Sequence, residues 1–166
     1  FDYRNPEVLL MFIKIIKFII KQGPTIFRLD AVAFLWKRID SNCVNLDQTH
    51  AIIRLLRIIL SYNKNKCMIV TETNLPFLEN LSYFGRSDEA HMIYNFSLAP
   101  LIINTLIKSN SAAFRRWSMS MPPAKDNNCY LNFLATHDGI GLRPLEGIIS
   151  KSNMKKLIAP LKSFGA

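Results

Sequence analysis

Three short apolar runs in this chain each lead into a carboxylate, and this pattern limits the possible folds more than any other feature. The acids are Asp30 in IFRLDAVAF, Glu72 in MIVTETN and Asp138 in LNFLATHDGIG. Such a run reads as a buried strand. An acid at the point where the strand passes into loop residues lies at the rim of a sheet. Parallel β/α proteins carry their reacting groups there, at the C-terminal ends of the strands. Three strand ends with one acid each predict a shared carboxylate site.

The intervening segments carry helix signals. Asn5-Pro6-Glu7 combines an N-cap, a proline at the first helical position and an acid in the first turn, so a helix is expected from there to about residue 21, stopped by Gly23-Pro24. A strand over 25–29 ends at Asp30. A second helix opens at Asp47-Gln48-Thr49, keeps helical spacing through Ile52, Ile53, Leu56, Ile59 and Leu60, and ends at Asn63-Lys64-Asn65. The strand 67–71 ends at Glu72, and a polar loop with Asn80, Gly85 and Asp88 follows. Next come a strand over 92–96, a helix with Pro100 in its first turn running to 108, and a helical stretch over 114–119 closed by Pro122-Pro123. The last strand, 130–135, passes into Thr136-His137-Asp138. Gly139 and Gly141 then allow backbone angles that other residues avoid, and loop with a short helix is expected beyond them. The alternation places the chain in the α/β class, with a parallel sheet and right-handed crossovers.

At 166 residues, with 49% of them hydrophobic and 20% charged, the chain suits one domain with a sizeable core. The net charge of +9 is spread out, and no basic run exceeds two residues (Lys37-Arg38, Arg115-Arg116, Lys155-Lys156). It reads as a basic soluble surface, with neither nucleic acid nor membrane as partner, because a polyanion footprint clusters its cations. The apolar stretch VLLMFIKIIKFII (8–20) is broken by Lys14 and Lys17 and falls short of the roughly 18–20 residues of a membrane span. Cys43, Cys67 and Cys129 are odd in number and lack metal-like spacing, which fits a reducing cytoplasm and predicts no metal site. Cys67 is expected in the core. No signal peptide is recognised, and the missing initiator Met suggests a piece of something longer.

Each candidate residue has two readings. Arg28 and Asp30 lie two apart on a strand and share a face. The guanidinium would favour the ionised carboxylate that a nucleophile needs, or the two would simply close a barrel end as an ion pair. Glu72 is a general acid if its pocket is enclosed, or a solvated acid at a strand end. His137-Asp138 before Gly-Ile-Gly is the most specific segment, because adjacent His and Asp side chains at a glycine-flanked turn can hydrogen-bond vicinal sugar hydroxyls. His50 is expected on a helix surface and His91 in a structural role. No phosphate-cradling glycine loop, zinc spacing, calcium loop or serine nucleophile elbow is present in the sequence.

With these residues in view, the chain resembles the α-amylase superfamily, glycoside hydrolase family 13, and most closely its sucrose phosphorylase-like branch. RLDAVAFLWK is similar to the second conserved region of that family, VTETN to the third and ATHDGIGLRPLEG to the fourth; DEAHMIYNFSLAPL is similar to the sixth strand and the following helix. The likeness runs from Asp2 to about Ile149. It implies a (β/α)8 barrel, of which this chain would hold about strands four to seven with their helices. The partial catalytic barrel would occupy 1–138, and 139–166 would begin the loop or subdomain after the seventh strand. A full barrel takes about 200–250 residues or more, so the piece alone is expected to be inactive and poorly folded.

The resemblance further implies Asp30 as nucleophile, Glu72 as general acid/base and Asp138 as transition-state stabiliser, with Arg28 and His137 holding the nucleophile and the sugar. The expected reaction is retaining phosphorolysis of sucrose or a related α-glucoside to α-glucose 1-phosphate, with inorganic phosphate as co-substrate and no cofactor. Arg143 in the GLRPLEG loop is the candidate phosphate cation or an ordinary exposed arginine. Asn74 is a candidate for the acceptor side. Trp36 is another, with core packing as its other role. Hydrolysis or transglucosylation on the same triad is the alternative. A non-catalytic barrel would be marked by loss of a carboxylate, and all three are present. Oligomeric state is left open.

Overall fold

The computed structural model describes residues 1–62, 67–125 and 127–163. Its strands β1 (Ile26–Leu29), β2 (Met68–Thr71), β3 (Met92–Tyr94) and β4 (Cys129–Leu131) form one sheet in the order β1-β2-β3-β4, with every neighbouring pair parallel. Parallel neighbours need a crossover. Helix α2 (Asp47–Ser61) supplies it between β1 and β2, α3 (Phe77–Leu81) lies between β2 and β3, and α4 (Leu98–Lys108) with α5 (Ala112–Ser120) connects β3 to β4. Spatial order follows chain order, so the sheet advances in one direction, as an arc of a β/α barrel does.

Helix α1 (Pro6–Ile20) starts as the Asn5-Pro6-Glu7 signature predicts: Asn5 Oδ1 accepts the Glu7 N–H at 3.0 Å, and Pro6 occupies the first position, where no donor is missed. Gly23 follows with φ +86°, a left-handed turn that suits glycine. Helix α2 turns Ile52, Ile53, Leu56 and Leu60 into the core, against Phe27, Ile69 and Ile93 of the sheet. Each such aliphatic or aromatic burial contributes about 1.5–3 kcal/mol. Cys67 is buried in the same core, as expected. The predicted stop of α2, Asn63-Lys64-Asn65, lies outside the described residues.

A second core joins the parts beyond the sheet. Leu101 of α4 and Trp117 of α5 pack with Leu145, from the 3-10 helix Arg143–Leu145, and with Leu157 of α6 (Lys151–Ser163). Helix α6 is longer than the short helix expected for the end of the chain. Met154, Leu157 and Leu161 recur at spacings of three and four and meet this core, so packing sustains the helix although it contains Pro160.

Three further expectations are corrected. The polar loop before β3 contains α3 and the 3-10 helix Ser82–Phe84. Asn80, taken as a loop marker, is buried: it accepts from Thr73 Oγ1 at 2.5 Å and donates to the Tyr94 carbonyl at 2.8 Å, tying β2 to β3. Strand β4 stops at Leu131, well short of residue 135, because Phe133 leaves the ladder to pack on Tyr94 and Phe96. His50 is not on the surface; its side chain is 14% exposed and Nδ1 lies 2.7 Å from Glu89 Oε2. Among the described residues, no helix is long and apolar enough to cross a membrane.

Candidate active site

The register aligns Arg28, Val70 and Met92 in one row across three strands. Side chains two residues apart on a strand share a face, so Asp30, Glu72 and Tyr94 continue that face at its C-terminal edge. The other face, with Phe27, Ile69 and Ile93, is covered by α2. A pocket of about 320 Å³ opens at this edge. Arg28, Glu72, Asn74, Tyr94, His137 and Asp138 line it, together with Phe96, Phe133 and the turn from Gly139 to Gly141.

Arg28 donates from Nη1 to Asp30 Oδ1 at 2.5 Å. Burial works to lower the Arg28 pKa, but its contacts with Asp30 and then Tyr94 outweigh this and raise it. The Asp30 side chain is 70% exposed, so the pair stabilises the fold by no more than about 1 kcal/mol. The Glu72 N–H donates to the Leu29 carbonyl at 2.9 Å, extending the β1–β2 ladder by one residue. Glu72 Oε2 in turn accepts the Ala31 N–H at 2.8 Å. Ala31 has φ +46°, a left-handed conformation that costs a non-glycine residue about 1–2 kcal/mol. It turns the chain sharply just after Asp30, and the turn presents its N–H to the acid of the next strand. Glu72 is thereby fastened to the residue adjoining Asp30.

Asp138 stands on a loop seven residues beyond the end of β4. Its N–H donates to Thr136 Oγ1 at 3.3 Å, the Gly139 N–H donates to the Thr136 carbonyl at 3.0 Å, and Gly139 takes φ +79°. His137 Nε2 lies 3.3 Å from Asp138 Oδ2, and both side chains are mostly exposed at the pocket mouth. A Cβ on Gly141 would stand 2.6 Å from Asn74 Nδ2, so this glycine lets the Asn74 amide lie against the loop. Arg143 opens the 3-10 helix Arg143–Leu145 and is exposed, outside the pocket lining. Trp36 packs against the first core, in its structural role. His91 bonds to the sheet backbone: its Nδ1 accepts the Ile69 N–H at 2.9 Å, and burial, aided by the charge of Arg57, pulls its pKa down to about 4. Among the described residues, no His, Cys, Asp or Glu cluster could hold a metal ion.

Sequence reasoning did not single out the aromatic wall of the pocket. Tyr94 and Phe96 stack with ring centroids 5.4 Å apart, and Phe133 meets both edge-on, at 5.4 and 5.2 Å. Their signal was parity: Tyr94 and Phe96 alternate along one run, but which face they share with Glu72 depends on register.

No protein-family model matches the chain. In sequence it is 42% identical to the glucosylglycerate phosphorylase of Escherichia coli (strain K12) and 40% identical to that of Spirochaeta thermophila, over 99% of its own length in both comparisons. It is 31% identical, over 85% of its length, to a trehalose synthase/amylase of Mycobacterium tuberculosis (strain ATCC 25618 / H37Rv). The chain spans 30%, 28% and 24% of these relatives. The crystal structure of sucrose 6F-phosphate phosphorylase from Thermoanaerobacter thermosaccharolyticum superposes on 93% of the chain with a TM-score of 0.77, at 22% identity and over 30% of that structure. This is a likeness of fold. The four-stranded parallel sheet is part of a (β/α)8 barrel, as expected.

Proposed function

We propose, for a chain homologous to part of the glycoside hydrolase family 13 sugar phosphorylases, that its parent enzyme carries out retaining α-glucosyl transfer by double displacement. The observation that carries this reading is the convergence of Arg28, Glu72, His137 and Asp138 on one pocket, with Glu72 bonded to the residue adjoining Asp30. Retention needs the two reacting carboxyls about 5–5.5 Å apart, one as nucleophile and one as acid. Acids fixed on adjoining strand ends suit that requirement.

In the first step Asp30 attacks the anomeric carbon while Glu72 gives its proton to the departing oxygen, leaving a β-glucosyl ester on Asp30. Arg28, bonded to Asp30 Oδ1, keeps the attacking carboxylate aimed. Asp138 and His137 accept and donate hydrogen bonds to the sugar hydroxyls as charge develops on the ring. In the second step a phosphate oxygen attacks the anomeric carbon, whose bond to the Asp30 carboxylate breaks, Glu72 takes up the proton that phosphate releases, and α-glucose 1-phosphate departs. Arg143 is the proposed phosphate cation on the strength of the sequence, and Asn74 contacts the acceptor. Among possible α-glucosides, glucosylglycerate is favoured as donor over sucrose, because glucosylglycerate phosphorylases match nearly the whole chain. The odd cysteine count suits a reducing cytoplasm. The 31% identity to a trehalose synthase/amylase supports a second reading, in which a sugar or water replaces phosphate as acceptor.

Phosphorus NMR on the complete parent enzyme, with glucosylglycerate and separately with sucrose at fixed phosphate, tests the assignment. An α-glucose 1-phosphate signal that Glu72→Gln abolishes is expected with glucosylglycerate. Free glucose without a phosphate ester would make water the acceptor. Turnover retained by Asp30→Asn would reject Asp30 as nucleophile.

A further inference from the structure

The Arg28 guanidinium carbon lies 5.8 Å from the centroid of the Tyr94 ring, within the range of a cation held by an aromatic face. Arg28 is a long side chain, 37% exposed, that reaches Asp30 through Nη1. A side chain of this kind loses much rotamer freedom when it is held in one geometry, so its hydrogen bond to the exposed Asp30 is by itself a weak means of keeping it in place.

Tyr94, by contrast, is fixed at both ends. Its ring is stacked on Phe96 and capped edge-on by Phe133. Its carbonyl accepts from Asn80, which is itself buried and bonded to Thr73. Register puts Tyr94 on the face of Arg28, one strand beyond β2 and one pair of residues closer to the rim.

We propose that Tyr94 is a positioning residue, whose ring holds the Arg28 guanidinium in the orientation that engages Asp30. The inference rests on the carboxylate reading above and adds a residue that acts through Arg28. The order of support runs from the Asn80 bracket and the aromatic wall to Tyr94, from Tyr94 to Arg28, and from Arg28 to the attacking oxygen. A loosely held guanidinium would leave Asp30 free to turn away from the anomeric carbon. Misplacement of a reacting group costs rate before it costs binding.

The test is a double-mutant cycle in the complete parent enzyme. Tyr94→Leu is expected to lower kcat about tenfold while KM for the donor shifts less than about threefold, and Tyr94→Phe, which keeps the ring, to recover to within about threefold of wild type. In an Arg28→Lys background, Tyr94→Leu should lose most of its effect, because the planar cation it positions is already gone. Melting temperatures of each variant separate lost packing from lost positioning. Additive losses in the cycle, or a Tyr94→Phe enzyme as impaired as Tyr94→Leu, would overturn the inference. Asp30→Asn is measured alongside. If it stays active, the carboxylate reading itself fails; if it is inactive while the cycle is additive, only the role of Tyr94 falls.

Discussion

Glu72 and Glu89 are two glutamates beside one four-stranded sheet, and the structure treats them in opposite ways. Glu89 is 2% exposed. His50 Nδ1 stands 2.7 Å from its Oε2, Arg54 donates to its Oε1 at 2.6 Å, and Arg57 donates to its carbonyl at 2.9 Å. The network continues outward: the His50 ring lies on Tyr83, whose hydroxyl donates to Asn45 Oδ1 at 2.5 Å. Glu72 is half-buried, takes one N–H from Ala31 and faces the pocket. An ionised carboxylate is costly to bury unless its oxygens are satisfied. Glu89 meets that demand and becomes a brace between α2 and the approach to β3. A carboxylate that faces a pocket can exchange a proton with a bound molecule, which is what an acid/base needs.

The largest expected effect separates the two directly. Glu72→Gln in the parent enzyme should lower glucosyl transfer by about a thousandfold, with the melting temperature shifted by less than about 2 °C. A large loss of thermal stability would make Glu72 a brace as well. Glu89→Gln should do the reverse. Breaking a buried charge network typically costs about 3–5 kcal/mol, which denaturant titration would register, while turnover per folded molecule persists. Unchanged stability would refute the bracing role.

Gly85 sharpens the same contrast. It has φ +55°, and a Cβ there would collide with Asp88 Oδ1 and stand 2.8 Å from Glu89 Cγ. Gly85→Ala should therefore cost about 1–2 kcal/mol, visible in the midpoint of unfolding, without altering KM. The smallest expected effect is a pH dependence from His91 on the braced side. Its folded pKa, about 4, lies below the ordinary 6.5, so the native state favours the neutral imidazole. This stability is fully present above about pH 6.5 and is lost as pH falls toward 4. Unfolding free energy measured between those limits should decline, and His91→Gln should remove the part of the slope that lies above pH 5. A slope unchanged by that substitution would assign the effect to carboxylates alone.

Much of this architecture could be read from local chemistry. The start of α1 followed from Asn5-Pro6-Glu7, the buried face of α2 from the spacing of Ile52, Ile53, Leu56 and Leu60, and the four strands from short apolar runs. These features depend on residues within a turn or two of each other, where sterics and periodicity act. The misreadings share a different cause. Asn80 looked like a loop residue and His50 like a surface residue because each finds its partners far along the chain: Tyr94 for the first and Glu89 for the second.

The sequence by itself determined which groups stand at strand ends, because an apolar run that stops at Asp30 or Glu72 must leave that charge at the sheet rim. It also carried the family likeness, through RLDAVAF, VTETN and ATHDGIGLRP. Only the tertiary structure decided which of these groups meet. Parallel register set Tyr94 on the face of Arg28, the left-handed turn at Ala31 joined Glu72 to the neighbour of Asp30, and the 3-10 helix, with Pro144 and Leu145 buried, left Arg143 exposed and outside the pocket lining. The reason is physical. Parity along a strand is a local property, but the pairing of one strand with the next is settled by how all of the buried faces pack together.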